Sequence, residues 1–318
     1  MPGCSRLAGH RHASELNLST SRPAETITRF APSPTGYLHL GHVRSALEGW
    51  RAARQARGRF LLRLEDIDQT RCRDDYAAAI VEDLAWLGLD WDGSIRRQSE
   101  HLANYQAALD RLEAEGLLYP CFCTRREIQA EIVRAGSAPQ GKAGAVYPGT
   151  CRQLGAAERA RRRAASPSYA LRLDVAAALK RTGPLVWSED GRRINADPAA
   201  SGDVVLARKE VPTSYHLAVT VDDALQGITL VTRGADLFAA THIHRLLQEL
   251  LGLPTPRYRH HPLLTDAQGR RLAKRDDALS VRAMRAAGMS AAEVLGAAQH
   301  PNRIPGESRD PHSRSTSS

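Results

Sequence analysis

The 318 residues are 42% hydrophobic and 25% charged, which is the composition of an ordinary globular protein with a sizeable core and room for an α/β domain plus a smaller insertion. Lysine and arginine outnumber aspartate and glutamate by 44 to 35, and the resulting net charge of +9 suits a polyanionic partner. Apolar runs are too short to span a bilayer and the first residues lack a secretory core, so the sequence predicts a cytoplasmic protein without a membrane partner, which we expect to be a monomer.

Strands that alternate with helices are predicted along most of the chain. The predicted strands are residues 26–30, 59–65, 168–174, 203–208, 215–222 and 228–232. The predicted helices are residues 45–57, 73–88, 100–116, 156–165, 236–251, 279–287 and 290–298. Because helices separate the strands, the sheet should be mostly parallel, with ligands bound at the carboxyl ends of its strands. Polar segments without periodicity predict disordered tails at residues 1–24 and 299–318.

The segment PSPTGYLHLGH, residues 32–42, lies between the first predicted strand and the first predicted helix. Backbone N–H groups and the positive end of the helix dipole make such a junction a natural anion site. His39 and His42 can share one face of the first helical turn and donate to phosphate oxygens, and Gly41 leaves room for a ligand to approach. The segment favours a site for ATP phosphates, although histidines at this spacing can also simply cap or pack a helix start.

A second basic segment, GRRLAKRDDA at residues 269–278, follows a turn and precedes a predicted helix. Alone it would be a solvated loop. Together the two segments resemble the HIGH and KMSKS motifs of class I aminoacyl-tRNA synthetases, with HLGH at residues 39–42 and RLAKR at residues 271–275. The string RFAPSPTGYLHLGH, from Arg29, is similar to the glutamyl branch of that family, and LLRLEDID, YHLAVTVDDALQGIT and VTRGADL follow in the family's order. The loop departs from the family in Arg271, for the usual first lysine, and in Ala273, for the usual serine.

This resemblance implies an α/β, Rossmann-like class I synthetase catalytic domain over residues 25–118 and 153–298, interrupted by an insertion at residues 119–152. It implies ATP binding with Mg²⁺ on the phosphates. The implied ATP-binding residues are His39, Gly41, His42, Arg271 and Lys274, of which His39, His42 and Lys274 are the implied catalytic residues.

Glutamate has two carboxylates and one ammonium group, so its pocket needs basic groups, for which arginine is well suited, and one acidic group. Arg29, Glu65 and Arg233 are the candidates: Arg29 and Arg233 are both expected near strand ends that face one cleft, and Glu65 lies in LLRLEDID, at the end of the predicted strand 59–65. The family resemblance selects the same three residues and adds Phe30, Ala31, Pro32, Ser33 and Tyr215. Each charged residue could instead form a structural ion pair, and the sequence does not decide which arginine binds which carboxylate.

The insertion contains a cysteine pattern that favours a metal. Cys121 and Cys123 form a C-F-C pair, and Cys151 follows farther along the chain. Three thiols in a reducing compartment favour a metal over a disulfide, and soft sulfur ligands favour Zn²⁺, which usually takes four donors. Resemblance to the short glutamyl-Q type of synthetase implies Tyr147 as the fourth ligand of one structural zinc ion. The alternative is three reduced, buried cysteines and a packed tyrosine.

A second feature of the resemblance indicates which RNA accepts the glutamate. Glutamyl-tRNA synthetases continue past the KMSKS loop with a helical domain that reads the anticodon, whereas predicted order here ends near residue 298. The end of predicted order near residue 298 and the cysteine pattern are both similar to the glutamyl-Q family. This resemblance implies transfer of glutamate to queuosine in the anticodon loop of tRNA(Asp). Two alternatives stay open: a compact synthetase that charges the 3′ end of tRNA(Glu), and a non-enzymatic sensor of an amino acid or nucleotide.

Overall fold

The structure, a computed structural model, describes residues 25–124, 126–128, 140–141, 144–166, 168–264 and 280–299. Its strands are β1 (Ile27–Phe30), β2 (Arg59–Leu64), β3 (Arg96–Arg97), β4 (Leu118–Cys121), β5 (Gln140–Gly141), β6 (Gly144–Ala145), β7 (Ala170–Leu173), β8 (Val186–Glu189), β9 (Arg192–Asn195), β10 (Val205–Ala207), β11 (Leu230–Gly234) and β12 (Arg257–His261). Its α-helices are α1 (Leu40–Gln55), α2 (Asp74–Trp86), α3 (Leu102–Ala114), α4 (Ala156–Ala165), α5 (Val175–Thr182), α6 (Tyr215–Leu225), α7 (Phe238–Leu250), α8 (Val281–Ala286) and α9 (Ala291–Gln299). Short 3₁₀ helices occupy Gln98–His101, Thr150–Gln153, Pro198–Ser201 and Ala235–Leu237.

Parallel strands form the centre of the fold. β1, β2 and β3 pair in parallel in that order, and β11, β12 and β8 do the same, with β9 antiparallel at the edge. The two groups meet where the Thr229 backbone N–H donates to the Ile27 carbonyl at 3.0 Å and the Ile27 N–H donates to the Thr229 hydroxyl at 2.8 Å. The carboxyl ends of β1, β2 and β11 therefore come together, and the predicted α/β fold with a mostly parallel sheet is confirmed.

Two large groups of buried apolar side chains hold the helices to the sheets. One joins α1, α2, α8 and α9 to β2, and the other joins α3, α5, α6 and α7. Helix α1 lies unusually close to the strands, because a Cβ added to Gly49 would lie 2.9 Å from the Thr232 hydroxyl oxygen and 3.2 Å from the Phe60 ring. Any other residue at Gly49 would push α1, and the helix start that follows the first motif, away from the sheet.

The prediction of a strand at residues 215–222 is wrong, because these residues form the first turns of α6. The β-branched residues in YHLAVTV favour a strand locally, but the hydroxyl of Ser214 accepts from the Leu217 N–H at 3.5 Å and caps a helix. Leu217, Ala218 and Val221 are buried at helical spacing against neighbouring helices. Tertiary burial outweighs local propensity here, and it places Tyr215 on the first turn of a helix.

Other predicted elements differ in their limits or were missed. Helix α1 begins at residue 40, five residues before its predicted start, and α5, β4, β8, β9 and β12 were not predicted. Gln299, assigned to the predicted C-terminal tail, ends α9. The remaining predicted tail residues, 1–24 and 300–318, lie outside the described residues.

The predicted insertion boundaries stay a prediction. Strand β4, which ends at the first cysteine of the insertion, pairs with β7, and β7 pairs in turn with β10. None of the described helices is long and apolar enough to cross a membrane.

Candidate active site

The start of α1 holds the two histidines of the first motif in one fixed arrangement. His39 is the N-cap, where its Nδ1 accepts from the Gly41 N–H at 3.1 Å, and Nδ1 of His42 accepts from the His39 N–H at 3.3 Å. The rings stack with centroids 3.8 Å apart. Because each Nδ1 accepts, each neutral ring carries its proton on Nε2, the form that can donate to a phosphate oxygen. The two histidines therefore do cap the start of the helix, and this arrangement is compatible with phosphate binding.

Gly41 has a role in this arrangement that the sequence did not reveal. A Cβ at this position would lie 3.0 Å from Cε1 and 3.1 Å from Nδ1 of His39. A side chain would therefore displace the His39 ring from its cap. Glycine is needed here for the histidine pair itself, whatever space it also leaves for a ligand.

A cleft of about 550 Å³ opens at the carboxyl ends of β1, β2 and β11, within the usual size range of small-molecule sites. We call it the active-site cleft. Its lining contains every predicted site residue of the catalytic domain that the structure describes: Arg29, Phe30, Ala31, Pro32, Ser33, His39, Gly41, His42, Glu65, Tyr215 and Arg233. Arg271 and Lys274 lie outside the described residues.

A buried charge network supports one side of the cleft. The Arg29 guanidinium donates to both carboxylate oxygens of Asp223, at 2.9 and 3.4 Å, and to the Thr232 carbonyl at 3.2 Å. Arg63, which has no solvent exposure, donates to Asp223 at 2.8 Å and to Glu65 at 3.2 Å. Burial opposes the charge of Asp223, but the two arginines outweigh it and lower the pKa of that carboxyl. Arg29 thus has a carboxylate partner within the protein, which it shares with Arg63.

Glu65 follows β2 and, with Asp236, is one of two acidic residues in the described lining of the cleft. Burial raises the pKa of Glu65, and the charges of Arg63 and Arg29 only partly oppose it. A ligand ammonium beside this carboxyl would favour its ionised form. Glu65 is therefore well placed to bind an amino group.

Arg233, at the end of β11, is held by neutral partners. It donates to Nε2 of His260 at 3.1 Å, to Nδ1 of His244 and the Tyr215 hydroxyl, each at 3.2 Å, and to Thr241 at 2.6 Å. Among the described residues, no carboxylate oxygen lies within 4.0 Å of its guanidinium. Its positive charge, buried and oriented at the wall of the cleft, is therefore suited to an anionic ligand.

Hydrogen bonds around Arg233 determine which ring nitrogen of each neighbouring histidine carries the proton. Nδ1 of His244 accepts from Arg233, so Nε2 of His244 carries the proton and donates to Nδ1 of His216 at 3.2 Å. Nδ1 of His260 donates to Glu189 at 2.8 Å. Burial, followed by the charge of Arg233, lowers the pKa of His216 and of His260 to about 4, and that of His244 well below its usual value. All three rings are neutral at pH 7.

We expect the protein to lose stability as the pH falls from about 6.5 towards 4. In this window the unfolded histidines, with a pKa near 6.5, bind protons that the folded His216 and His260 do not bind until about pH 4. Each should contribute on the order of 3 kcal/mol across the window, and Asp83, whose pKa is raised to about 6, opposes them in part. Thermal unfolding at pH 7.5 and 5 measures the effect. The loss of stability between these two pH values should be smaller for His260→Gln. An equal loss in this variant would contradict the assignment of the effect to the buried histidines.

The predicted metal ligands also converge. The Sγ atoms of Cys121, Cys123 and Cys151 lie within 4.8 Å of one another, and the Tyr147 hydroxyl lies 3.5 Å from Sγ of both Cys121 and Cys123. The backbone N–H of Phe122 donates to Sγ of Cys151 at 3.4 Å. Tetrahedral zinc with Zn–S bonds near 2.3 Å requires sulfur atoms about 3.8 Å apart, so these residues could hold such a metal ion.

Sequence reasoning missed the residues behind the cleft, chiefly Arg63, Asp222 and Asp223. Asp222 is fully buried and accepts from Arg96, Gln98 and the Tyr105 hydroxyl at 2.8 to 2.9 Å. A signal existed: an arginine inside the apolar strand RFLLRL, and two adjacent acids inside the apolar helix YHLAVTVDDAL. Buried charges of this kind need partners, which identifies them as members of a network.

The fold and the active-site cleft define a class I aminoacyl-tRNA synthetase. Residues 25–295 match the family described as tRNA synthetases class I (E and Q), catalytic domain. The chain belongs to this family, so the family resemblance and the assignment as a ligase of aminoacyl-tRNA synthetase type are confirmed.

Three individual relatives indicate which branches of this family the chain resembles. The chain is 52% identical, over 84% of its length and 98% of the relative, to the glutamyl-Q tRNA(Asp) synthetase of Rhodobacter capsulatus. It is 44% identical to glutamate–tRNA ligase 2 of Acidithiobacillus ferrooxidans, with 84% of this chain matching 56% of that one. The crystal structure of a glutamate tRNA ligase from Elizabethkingia meningosepticum in complex with its amino acid has a TM-score of 0.66 and 28% identity over 79% of this chain and 52% of that one. The chain thus spans about half the length of these two ligases.

Proposed function

We propose that the chain activates L-glutamate with ATP and transfers it to the queuosine base in the anticodon loop of tRNA(Asp). The observation that carries the activation step is the single active-site cleft, which contains a buried arginine without a carboxylate partner among the described residues and two histidines with protonated Nε2 atoms at a helix start. The likeness to a glutamyl-Q tRNA(Asp) synthetase over 98% of that protein supports the acceptor.

Activation on this proposal needs no side chain as a base. The α-carboxylate of glutamate attacks the α-phosphorus of ATP, a new O–P bond forms, and pyrophosphate leaves with the electrons of the broken bond. His39 and His42 donate hydrogen bonds to the phosphates, and the loop residues Arg271 and Lys274 neutralise charge on the leaving group. Mg²⁺, held by the ATP phosphates, supplies further charge stabilisation when bound.

Glutamate would be oriented by charge and by the strand ends. Arg233, with Tyr215 beside it, binds one carboxylate, and Glu65 binds the ammonium. Arg29 and the backbone and side chains of Phe30–Ser33 complete the pocket. In the second step a hydroxyl of the queuosine cyclopentenediol attacks the activated carbonyl and a C–O ester bond forms. The C–O bond to the phosphate breaks, AMP leaves with its electrons, and the hydroxyl proton is released.

The cysteine cluster, on this proposal, binds one structural Zn²⁺ through Cys121, Cys123, Cys151 and Tyr147. Zinc would stabilise the thiolate and phenolate forms of its ligands and tie the end of β4 to the 3₁₀ helix Thr150–Gln153. Burial raises the pKa of Tyr147, so its phenolate form requires the cation. We place the reaction in the cytoplasm and expect the enzyme to act as a monomer.

Transfer of labelled glutamate to defined RNAs tests the proposed function. We expect labelling of tRNA(Asp) that contains queuosine, at a level unchanged by removal of the 3′-terminal nucleotides. Queuosine-lacking tRNA(Asp) and tRNA(Glu) with an intact 3′ end should remain unlabelled. Labelling of tRNA(Glu) that disappears when its 3′ end is removed would establish the compact glutamyl-tRNA synthetase instead.

A further inference from the structure

A second cavity, which we call the side cavity, lies beside the active-site cleft and has a volume of about 340 Å³. Its wall includes Tyr147, Arg172, Ser201, Arg208, Tyr215 and His216. Tyr215 lines both spaces. The two spaces are therefore adjacent at Tyr215, and the activation step described above uses none of the other residues that line the side cavity.

We propose that the side cavity receives the acceptor nucleoside, a modified nucleobase turned out of an RNA loop, while glutamyl-adenylate occupies the active-site cleft. This inference rests on the proposed function and adds the place where the acceptor binds. Ester formation requires the acceptor hydroxyl to reach the activated carbonyl, and a bulky base needs space directly beside the cleft. The shared wall at Tyr215 provides that proximity.

The walls of the side cavity have the chemistry expected for an unstacked base. The guanidinium of Arg172 lies 3.8 Å from the centre of the Tyr147 ring, and it donates to the Asp203 carbonyl at 2.7 Å. The guanidinium covers one face of this buried ring, so the stacking surface that the wall offers is the other face of the Arg172 guanidinium. A guanidinium plane is one of the surfaces on which proteins stack single-stranded bases. Nδ1 of His216 accepts from His244, so Nε2 of His216 carries a proton and gives the wall a hydrogen-bond donor.

Arg208 supplies a cation at the edge of the side cavity. Its side chain is 48% exposed, and its closest carboxylate contact among the described residues, Asp68, is 3.9 Å away. That distance is too long for a hydrogen bond, so the guanidinium can donate to a phosphate of the RNA backbone without losing a strong partner. Phosphate contacts of this kind position a nucleic acid while the base contacts select it.

Two variants test the inference by separating activation from transfer. Arg208→Ala removes the edge cation, and Ser201→Trp fills the cavity from the 3₁₀ helix Pro198–Ser201. Both should support glutamate-dependent ATP–pyrophosphate exchange within about twofold of the unaltered enzyme, which also shows that they fold. The KM for queuosine-containing tRNA(Asp) should rise about tenfold in Arg208→Ala, as for loss of one charged hydrogen bond, and Ser201→Trp should lose transfer altogether.

Arg208→Lys and Arg192→Ala are the matched controls. Lysine keeps the charge and should restore much of the affinity for tRNA, whereas Arg192, an exposed arginine on β9, lines neither cavity and its loss should leave the KM unchanged. Unaltered transfer kinetics in both test variants would overturn the inference and leave the proposed function intact. Failure of the unaltered enzyme to label queuosine-containing tRNA(Asp), with normal exchange, would overturn the proposed function and the inference with it.

Discussion

Replacing Arg233 with leucine should lower glutamate-dependent ATP–pyrophosphate exchange by about 10²- to 10⁴-fold at a glutamate concentration that half-saturates the unaltered enzyme, the cost of removing one partner of a buried ion pair. The buried guanidinium is fixed by His260, His244, Thr241 and Tyr215, none of which neutralises its charge. A carboxylate of glutamate is the proposed counter-charge. Initial rates over a range of glutamate concentrations measure the loss and show whether it lies in KM, in kcat or in both.

Arg259→Leu is the matched control for this substitution. Arg259 lies on β12, next to β11, but its guanidinium pairs with Asp190 at 2.7 Å on a half-exposed surface and it does not line the active-site cleft. Its loss should change exchange by less than about twofold, as expected for a surface ion pair. Equal exchange by Arg233→Leu and Arg259→Leu would contradict the assignment of Arg233 to a glutamate carboxylate.

Removal of the metal should lower transfer to tRNA more than about tenfold while leaving most of the activation step intact. The described lining of the active-site cleft includes none of the four proposed metal ligands, whereas Tyr147 forms part of the side cavity. Without the metal, three thiols and a phenol that contact one another would lose the centre that fixes them. We expect Cys151→Ala to contain no zinc, to lose transfer more than about tenfold and to keep exchange within about threefold.

Cys72→Ala controls for the loss of a thiol. Cys72 is a free cysteine outside the metal cluster, and the variant should bind one zinc ion per chain, as the unaltered protein should. Metal analysis of the purified proteins and the two activity assays measure the outcome. Full zinc content in Cys151→Ala would contradict the proposed ligand set, and a proportionate loss of exchange and transfer would contradict the separation of the two steps.

The sequence predicted the residues of the cleft better than it predicted the elements that carry them. Arg29, Glu65 and Arg233 all line the cleft, because each lies at or just after the end of a strand and parallel strands bring these ends together. The strands themselves were found where apolar residues run continuously, as in β2 and β11. Tyr215 lines the cleft although its segment is a helix rather than the predicted strand.

The partners of the site residues could not be predicted from local pattern. Asp223 binds Arg29 across 194 positions of sequence, and His260 binds Arg233 across 27. These pairs depend on the order of strands in the sheet and on the start of α6, neither of which hydrophobic spacing determines. Strand β12, which contains His260, reads RYRHH, and its polar residues gave no apolar run to recognise.

The most direct test of the central claim, that one cleft joins glutamate to ATP, is ATP–pyrophosphate exchange with purified enzyme, Mg²⁺ and tRNA(Asp). We predict exchange that requires glutamate and is not supported by glutamine, because glutamine has only one carboxylate and would leave a buried cationic group of the cleft unpaired. Exchange that is absent with glutamate, or that proceeds equally with glutamine, would contradict the account.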